Sequence, residues 1–259
     1  MHTALPEVLG VLLSCIIVGS VAYHFKVLDI WGSALAIVMG LVIGLFGHPI
    51  WLVLLLIFLV SSFAATRYEY DFKVRRRVAQ GKGGKRGFEN VLANGYLPMV
   101  IAFLSEPLPF GIPTIDKTVA TIMFLTAISV AASDTLASEL GVLSRRVVMI
   151  NDPKNLVKPG INGGISAFGT AAALFAAAYA SLIGWFLIAT FASNLPMSHW
   201  YVAIPFGLGF LGCHVDSLLG LIENKGHING STVNLISIFV SSILAYMLMY
   251  ILPEFGFAW

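Results

Sequence analysis

Lys117-Thr-Val-Ala-Thr-Ile-Met-Phe-Leu-Thr-Ala-Ile-Ser-Val-Ala-Ala-Ser133-Asp134-Thr-Leu-Ala-Ser138-Glu139-Leu140 is the stretch on which the fold turns. Between Lys117 and Asp134 it carries no charge, and with its polar tail it is long enough to cross a bilayer core, which takes about 20 mostly apolar residues. It then closes on two carboxylates. An ionisable group inside an apolar span is costly and marks a functional site by default, so this helix is expected to carry chemistry as well as cross the membrane.

The rest of the chain has the same character. Of its 259 residues 58% are hydrophobic and 11% charged, with mean hydropathy +0.89, whereas soluble domains carry about 25% charged residues. This excludes an ordinary water-soluble enzyme. The pattern predicts an all-α, polytopic integral membrane bundle of about eight helices, at roughly 5–24, 28–47, 49–66, 89–105, 117–140, 164–192, 199–222 and 231–252. The breaks are Lys26/Asp29, Gly47-His48-Pro49, the basic loop 67–88, Pro107/Pro109/Pro113, the polar segment 141–163, Asn194-Leu195-Pro196 and Glu223-Asn224-Lys225-Gly226. The chain reads as one transmembrane domain over 1–259. The first span lacks a basic leader and a small-residue cleavage site, and is expected to be retained.

With eight spans, fourteen of the 15 Lys and Arg residues fall in loops on one side, leaving Lys117 alone on the other. The positive-inside rule puts those basic loops in the cytoplasm and both termini outside. The expected location is the cell membrane, multi-pass, with a cytoplasmic working face. Trp31, Trp51, Trp200 and Trp259 fall near span ends, as aromatic belts do, and Trp185 does not.

Polar residues interrupt three spans: Glu89-Asn90-Val-Leu-Ala-Asn94-Gly95, Ser133-Asp134 to Gly141, and Val215-Asp216-Ser217, followed by Asn224, Asn229 and Asn234. All sit at the basic-loop ends of their helices. Asn90 and Asn94 share a helix face, as do Asp134 and Ser138. Glu139 lies about 140° round from Asp134 and need not face the same cavity. A lone intramembrane Asp can be a structural acceptor. Asp134 and Asp216 together repel, and holding both ionised calls for a cation. Mg²⁺ bound by one or two carboxylates plus substrate phosphates is the economical choice.

The loops hold the complementary charge. Gln80-Gly81-Lys82-Gly83-Gly84-Lys85-Arg86-Gly87 suits phosphate contact, although it is no Walker A loop and can equally be a solvated loop on anionic lipid. Arg145-Arg146 can be topology signals. Lys154 to Thr170 is more specific: Lys158-Pro159-Gly160-Ile-Asn162-Gly163-Gly164-Ile-Ser166 turns into a helix start with free N–H groups for an anion. The six histidines show no metal-ligand spacing, Cys15 and Cys213 read as small core residues, and there is no G-x-S-x-G, C-x-x-C or H-E-x-x-H.

These residues give the chain its resemblance. It resembles the membrane family that includes transmembrane protein 19 and the plastid phytyl-phosphate kinase of vitamin E synthesis. The motifs that carry this are Glu89 to Pro98, Ser133 to Gly141, Pro159 to Gly164, Val215 to Gly220 and Val233-Asn234, in family order over roughly 85–240. The block at 133–141 is also similar to an element of CTP-dependent lipid kinases, and the Pro-Gly-x-x-Gly-Gly step to a turn of CDP-lipid synthases. Ser133 stands where Gly is usual, and Ile161 where Thr is usual.

The resemblance implies a prenyl-phosphate kinase that moves a γ-phosphoryl from a nucleoside triphosphate, CTP, to a prenyl monophosphate. Phosphoryl transfer asks mainly for positioning and charge neutralisation, and a phosphomonoester acceptor needs no strong base. The expected roles are Asp134 and Asp216 on the metal, and Glu139 on the metal or behind it. Asn90, Asn94, Asn162, Asn234, Ser138 and Ser217, with the Gly163-Gly164 backbone, would orient phosphates. Lys82, Lys85, Arg86, Arg145, Arg146, Lys154 and Lys158 form the pool of clamps, with Lys158 and Arg86 foremost. The implied partners are the nucleotide, the prenyl phosphate and membrane lipids, with no nucleic acid and a homo-oligomer left open. A CTP:lipid-phosphate cytidylyltransferase and a transporter are the alternatives. Transporters favour midplane sites between inverted repeats, and here the polar groups lie at one end of their helices.

Overall fold

The computed structural model describes residues 5–107, 114–192, 195, 197–224, 226 and 228–252. The expected breaks at Pro109, Pro113, Asn194 and Pro196, together with Lys225, Trp259 and the Lys82 side chain, lie outside the described residues. Nine α-helices and a small sheet are described: α1 Leu5–His24, α2 Ile30–Val42, α3 Pro49–Arg67, α4 Tyr70–Arg75, α5 Phe88–Leu104, α6 Lys117–Gly141, α7 Ala167–Phe191, α8 Ala203–Glu223 and α9 Gly230–Ile251. A π-helical turn, Ile43–Gly47, carries α2 on to His48.

Helix starts in lipid must satisfy their own free N–H groups, and the sequence supplies a side-chain cap at the starts of α2, α3, α6, α7 and α9. The Asp29 carboxylate accepts from Gly32 N–H at 2.6 Å, and His48 Nδ1 accepts from Ile50 N–H at 3.2 Å, with Pro49 at the first position. Asp116 opens α6, Ser166 opens α7 and Asn229 opens α9 in the same way.

Seven of these helices (α2 counted with its π turn) are long and apolar enough to cross a membrane. The predicted eighth, α5, has 17 residues and is shorter. It nevertheless traverses the bundle. At one end Asp29 N–H donates to Arg86 O at 3.0 Å, just before α5, and at the other Ser105 Oγ donates to Phe46 O at 3.1 Å, just after it. The outer faces expose large apolar side chains such as Leu13, Ile17, Phe175, Phe186 and Leu211, a surface that water would not tolerate over such an area.

α6 is the axis of the molecule. It is buried on every side from Thr118 to Ser133, packed mainly against α7, α8 and α9 and also against α5 and α3. A helix so enclosed needs small neighbours and satisfied hydroxyls. Ala173, Ala176 and Ala177 of α7 provide the first, all fully buried. Ser133 Oγ donates to Ala173 O at 3.1 Å, and Ser129 Oγ to Ala177 O at 3.5 Å. The unexpected serine at 133 is therefore interhelical packing.

Two regions depart from the expectation of plain loops. The polar segment 141–163 folds, with residues just beyond it, into a three-stranded antiparallel sheet of order β2-β1-β3: β1 Val147–Met149, β2 Asp152–Val157 and β3 Gly164–Ile165. Val147 pairs with Val157 and Val148 with Leu156, and a register shift then brings Met149 opposite Asp152. Helix α7 consequently starts at Ala167 rather than 164. The basic loop 67–88 holds α4, and Lys73 on α4 is wholly buried instead of solvated.

Candidate functional site at the basic ends of the helices

A cavity of about 890 Å³ opens where α6, α8, the start of α7 and the β-sheet meet, within the size range of small-molecule sites. Asp134 and Ser138 of α6 line it together with Asp216 and Ser217 of α8. The two Asp carboxyls lie within hydrogen-bonding reach of each other. Ser237 Oγ of α9 donates to Asp216 Oδ2 at 3.2 Å. The Asn234 amide, with its nitrogen facing the carboxylate, donates to the same oxygen at 3.1 Å and to Gly230 O at 2.9 Å. Two carboxyls in contact, one of them already partnered by donors from a third helix, make an oxygen-rich corner that either shares a proton or takes a cation. Among the described residues no cluster of three His, Cys, Asp or Glu could hold a metal unaided. A cation here would complete its shell with substrate oxygens, as Mg²⁺ on phosphates does.

The facing wall is the turn Lys158 to Ser166. Gly163 has φ +79°, and a Cβ there would meet Leu221 Cδ2 at 2.7 Å and Ser217 O at 3.1 Å. Across the contact, a Cβ on Gly220 would lie 2.8 Å from Gly163 N. The Asn224 side chain donates to Asn162 O at 2.8 Å. The turn is thus held against α8 beside Asp216 by two glycines and one amide. Ser166 Oγ takes the Gly169 N–H at 3.1 Å, which occupies one of the helix-start donors expected to face an anion.

The rim is cationic. Arg145 and Lys158 line the cavity, whereas Lys85, Arg146 and Lys154 do not. Arg76 and Arg77, which follow α4, line it too. In the sequence these two stand only among the fourteen basic-loop charges. Val78 N–H bonds Lys73 O and Arg77 N–H bonds Val74 O, both at 3.0 Å. This is a Schellman end with Arg77 at φ +60°, where glycine is the usual residue. In the sequence Arg76 and Arg77 are two of three consecutive arginines, Arg75 to Arg77, with nothing to single them out.

Glu139 is placed differently from the expectation of a metal or near-metal role. Its carboxylate accepts from Lys73 Nζ at 2.8 Å and from Thr66 Oγ1 at 2.8 Å, and Lys73 also donates to Ala65 O at 2.7 Å and Thr66 O at 3.3 Å. Glu139 is 1% exposed and Lys73 0%, and Glu139 does not line the cavity. Both carboxylate oxygens are engaged in tying α4 to α3 and α6, so Glu139 is structural.

Asn90 and Asn94 do not join the two aspartates directly. They line a second, apolar cleft with Arg86. Arg86 Nη1 donates to Asn90 Oδ1 at 3.0 Å and Nη2 to Thr66 Oγ1 at 3.3 Å. Burial lowers the Arg86 pKa from its ordinary value, and the carboxylates of Glu139 and Asp134 pull it back up. Arg86 therefore borders the cleft while feeling the charge of the cavity's Asp134.

Comparison with known proteins places the chain. The model of the family described as "Integral membrane protein DUF92" matches residues 13–246. The chain is 30% identical over 249 residues to "Uncharacterized membrane protein MJ0933" of Methanocaldococcus jannaschii, covering 96% of both chains. It is 26% identical over 195 residues to "Protein VTE6, chloroplastic" of Arabidopsis thaliana, covering 74% of this chain and 56% of that one. It is 31% identical over 181 residues to "Protein PGR" of the same plant, covering 64% and 62%. No solved structure matches. With the matched residues running through every helix that builds the cavity, the chain belongs to the DUF92 family of integral membrane proteins.

Proposed function

We propose that the protein is a membrane-embedded prenyl-phosphate kinase whose working face is cytoplasmic, in the cell membrane. The observation that carries this reading is the contact of Asp134 with Asp216 in a cavity rimmed by Arg76, Arg77, Arg145 and Lys158. A carboxylate pair opposite a ring of cations suits a polyphosphate better than a neutral solute. The family likeness and the distant relation to VTE6 favour a kinase, and CTP is the donor the motif resemblance suggests.

The residues divide the work as follows. Asp134 and Asp216 would hold Mg²⁺, which supplies neutralisation of phosphate charge when bound. Ser237 and Asn234 fix the Asp216 carboxylate by donating to it. The Asn162-Gly163-Gly164 backbone and Ser138, Ser217 and Lys158 line the path of the nucleotide phosphates. Arg86 reaches the acceptor phosphate from the other side. A non-bridging oxygen of the prenyl monophosphate attacks the γ-phosphorus. The bond to the β,γ-bridging oxygen breaks, and the nucleoside diphosphate leaves with that electron pair. The acceptor oxygen is already ionised near neutral pH, so no proton has to be removed and His214, which lines the cavity, is not needed as a base.

The test uses purified protein, Mg²⁺, each labelled nucleoside triphosphate and geranylgeranyl or phytyl monophosphate. Nucleoside diphosphate and a prenyl diphosphate are expected. Release of pyrophosphate would instead identify a cytidylyltransferase, and no labelled prenyl product with any nucleotide would sink the reading.

A further inference from the structure

The second cavity is of a different kind. It holds about 150 Å³ between α1 and α3, over a floor of α2 and α5, and its walls are apolar from Cys15 and Gly40 to Leu52, Leu55 and Leu59. Apart from Ser14 of α1, its polar lining gathers at the basic end, where Ser62, Arg86, Asn90 and Asn94 meet. From Ser62 to Leu52 it follows α3 for about 15 Å at 1.5 Å per residue.

Three polar atoms at that end lack protein partners, Ser62 Oγ among them. Arg86 Nε is buried with no acceptor, and Asn94 Oδ1, on a side chain 5% exposed, has no donor. Leaving such groups unpaired costs free energy. A guanidinium with a spare donor at the head of an apolar cleft is complementary to an anion carrying a single hydrocarbon chain.

From this geometry we infer that the cleft between α1 and α3 is the seat of the lipid substrate, a single-chain isoprenoid monophosphate. Its phosphate sits on Arg86 and the Ser62 hydroxyl, beside Asn90 and Asn94, and its chain runs toward Leu52. The inference rests on the prenyl-phosphate reading above and adds where the lipid binds. It also separates the substrates: the nucleotide enters from the cavity of Asp134 and Asp216, the lipid from the cleft, and Arg86 stands between them. The first three helices then form the lipid-binding part of the enzyme.

The test is photolabelling of the full chain in detergent micelles, without nucleotide, by farnesyl monophosphate with a diazirine at the end of its chain. Mapped crosslinks are expected on α1 and α3 near Cys15, Leu52 and Leu55. Unlabelled farnesyl monophosphate should compete and farnesol should not. Arg86→Gln should weaken that competition about tenfold. Ala36→Phe, which fills the cleft, should suppress labelling, and Val38→Phe on the outer face of α2 should leave it unchanged. Crosslinks confined to α7, α8 or the outer surface, or equal competition by farnesol, would overturn the site. Turnover with labels elsewhere defeats the cleft alone. Cleft labelling without turnover by any nucleotide defeats the kinase reading alone.

Discussion

Helices α1 and α6 are both apolar and of spanning length, yet they are built for opposite surroundings. In α6, 94% of the apolar stretch is buried inside the protein, and in α1 only 22%. The first offers alanines, serines and threonines to its neighbours, the second leucines and isoleucines to lipid. A hydropathy plot sees two similar spans. Residue size and hydroxyl content tell them apart, because protein neighbours reward close approach and hydrogen bonding while lipid rewards neither.

The contrast breaks most visibly at the carboxylates. Asp134→Asn or Asp216→Asn is expected to lower phosphoryl transfer on the order of 10²–10³-fold with the fold intact, measured by product formation beside thermal unfolding in detergent. Equal turnover in both variants would remove the pair from the site. Next comes the tie between α4 and α6. Lys73→Met leaves Glu139 buried and unpaired and should cost about 3–5 kcal/mol, and Lys73→Met with Glu139→Leu should recover much of that loss. A double variant no more stable than the single would show that the ion pair is not the tether.

A finer separation is expected at Arg77. Replacing it by glycine relieves about 1 kcal/mol of left-handed backbone cost, so the unfolding temperature should rise slightly. The KM for nucleotide should meanwhile increase about tenfold through loss of a charged contact. A fall in stability together with unchanged KM would place the side chain outside binding. The smallest effect belongs to α1: Leu13→Ala, on a face 57% exposed, should change stability by less than about 0.5 kcal/mol.

Much of this was legible because a membrane makes charges conspicuous. Asp134 and Asp216 stand out as interruptions of apolar runs, and the side on which they lie follows from the basic loops. The partner of Glu139 was not legible. Lys73 is 66 positions away among seven other cations between Arg67 and Arg86, and only the folded chain shows which one is buried. The sheet from Val147 to Ile165 was hidden for another reason: short polar segments between spans carry weak periodicity, and its strands pair around a shifted register. The cleft is built from four helices whose apolar residues look the same wherever they point. Arg86 and Asn94 were visible as polar residues, while the space they face was not.

The enclosure of α6 also bears on how the protein is made. Asp134, Glu139 and the row of hydroxyls from Thr118 to Ser138 are expensive in bare lipid, and when α6 leaves the ribosome only α3 and α5 of its partners exist. Those that cover it most, α7, α8 and α9, are still to come. The helix that carries the carboxylates therefore waits half-clothed in the bilayer, and the last three helices complete its solvation as well as the fold. A chain cut short before α8 would leave Asp134 facing lipid, the form that membrane quality control is built to find.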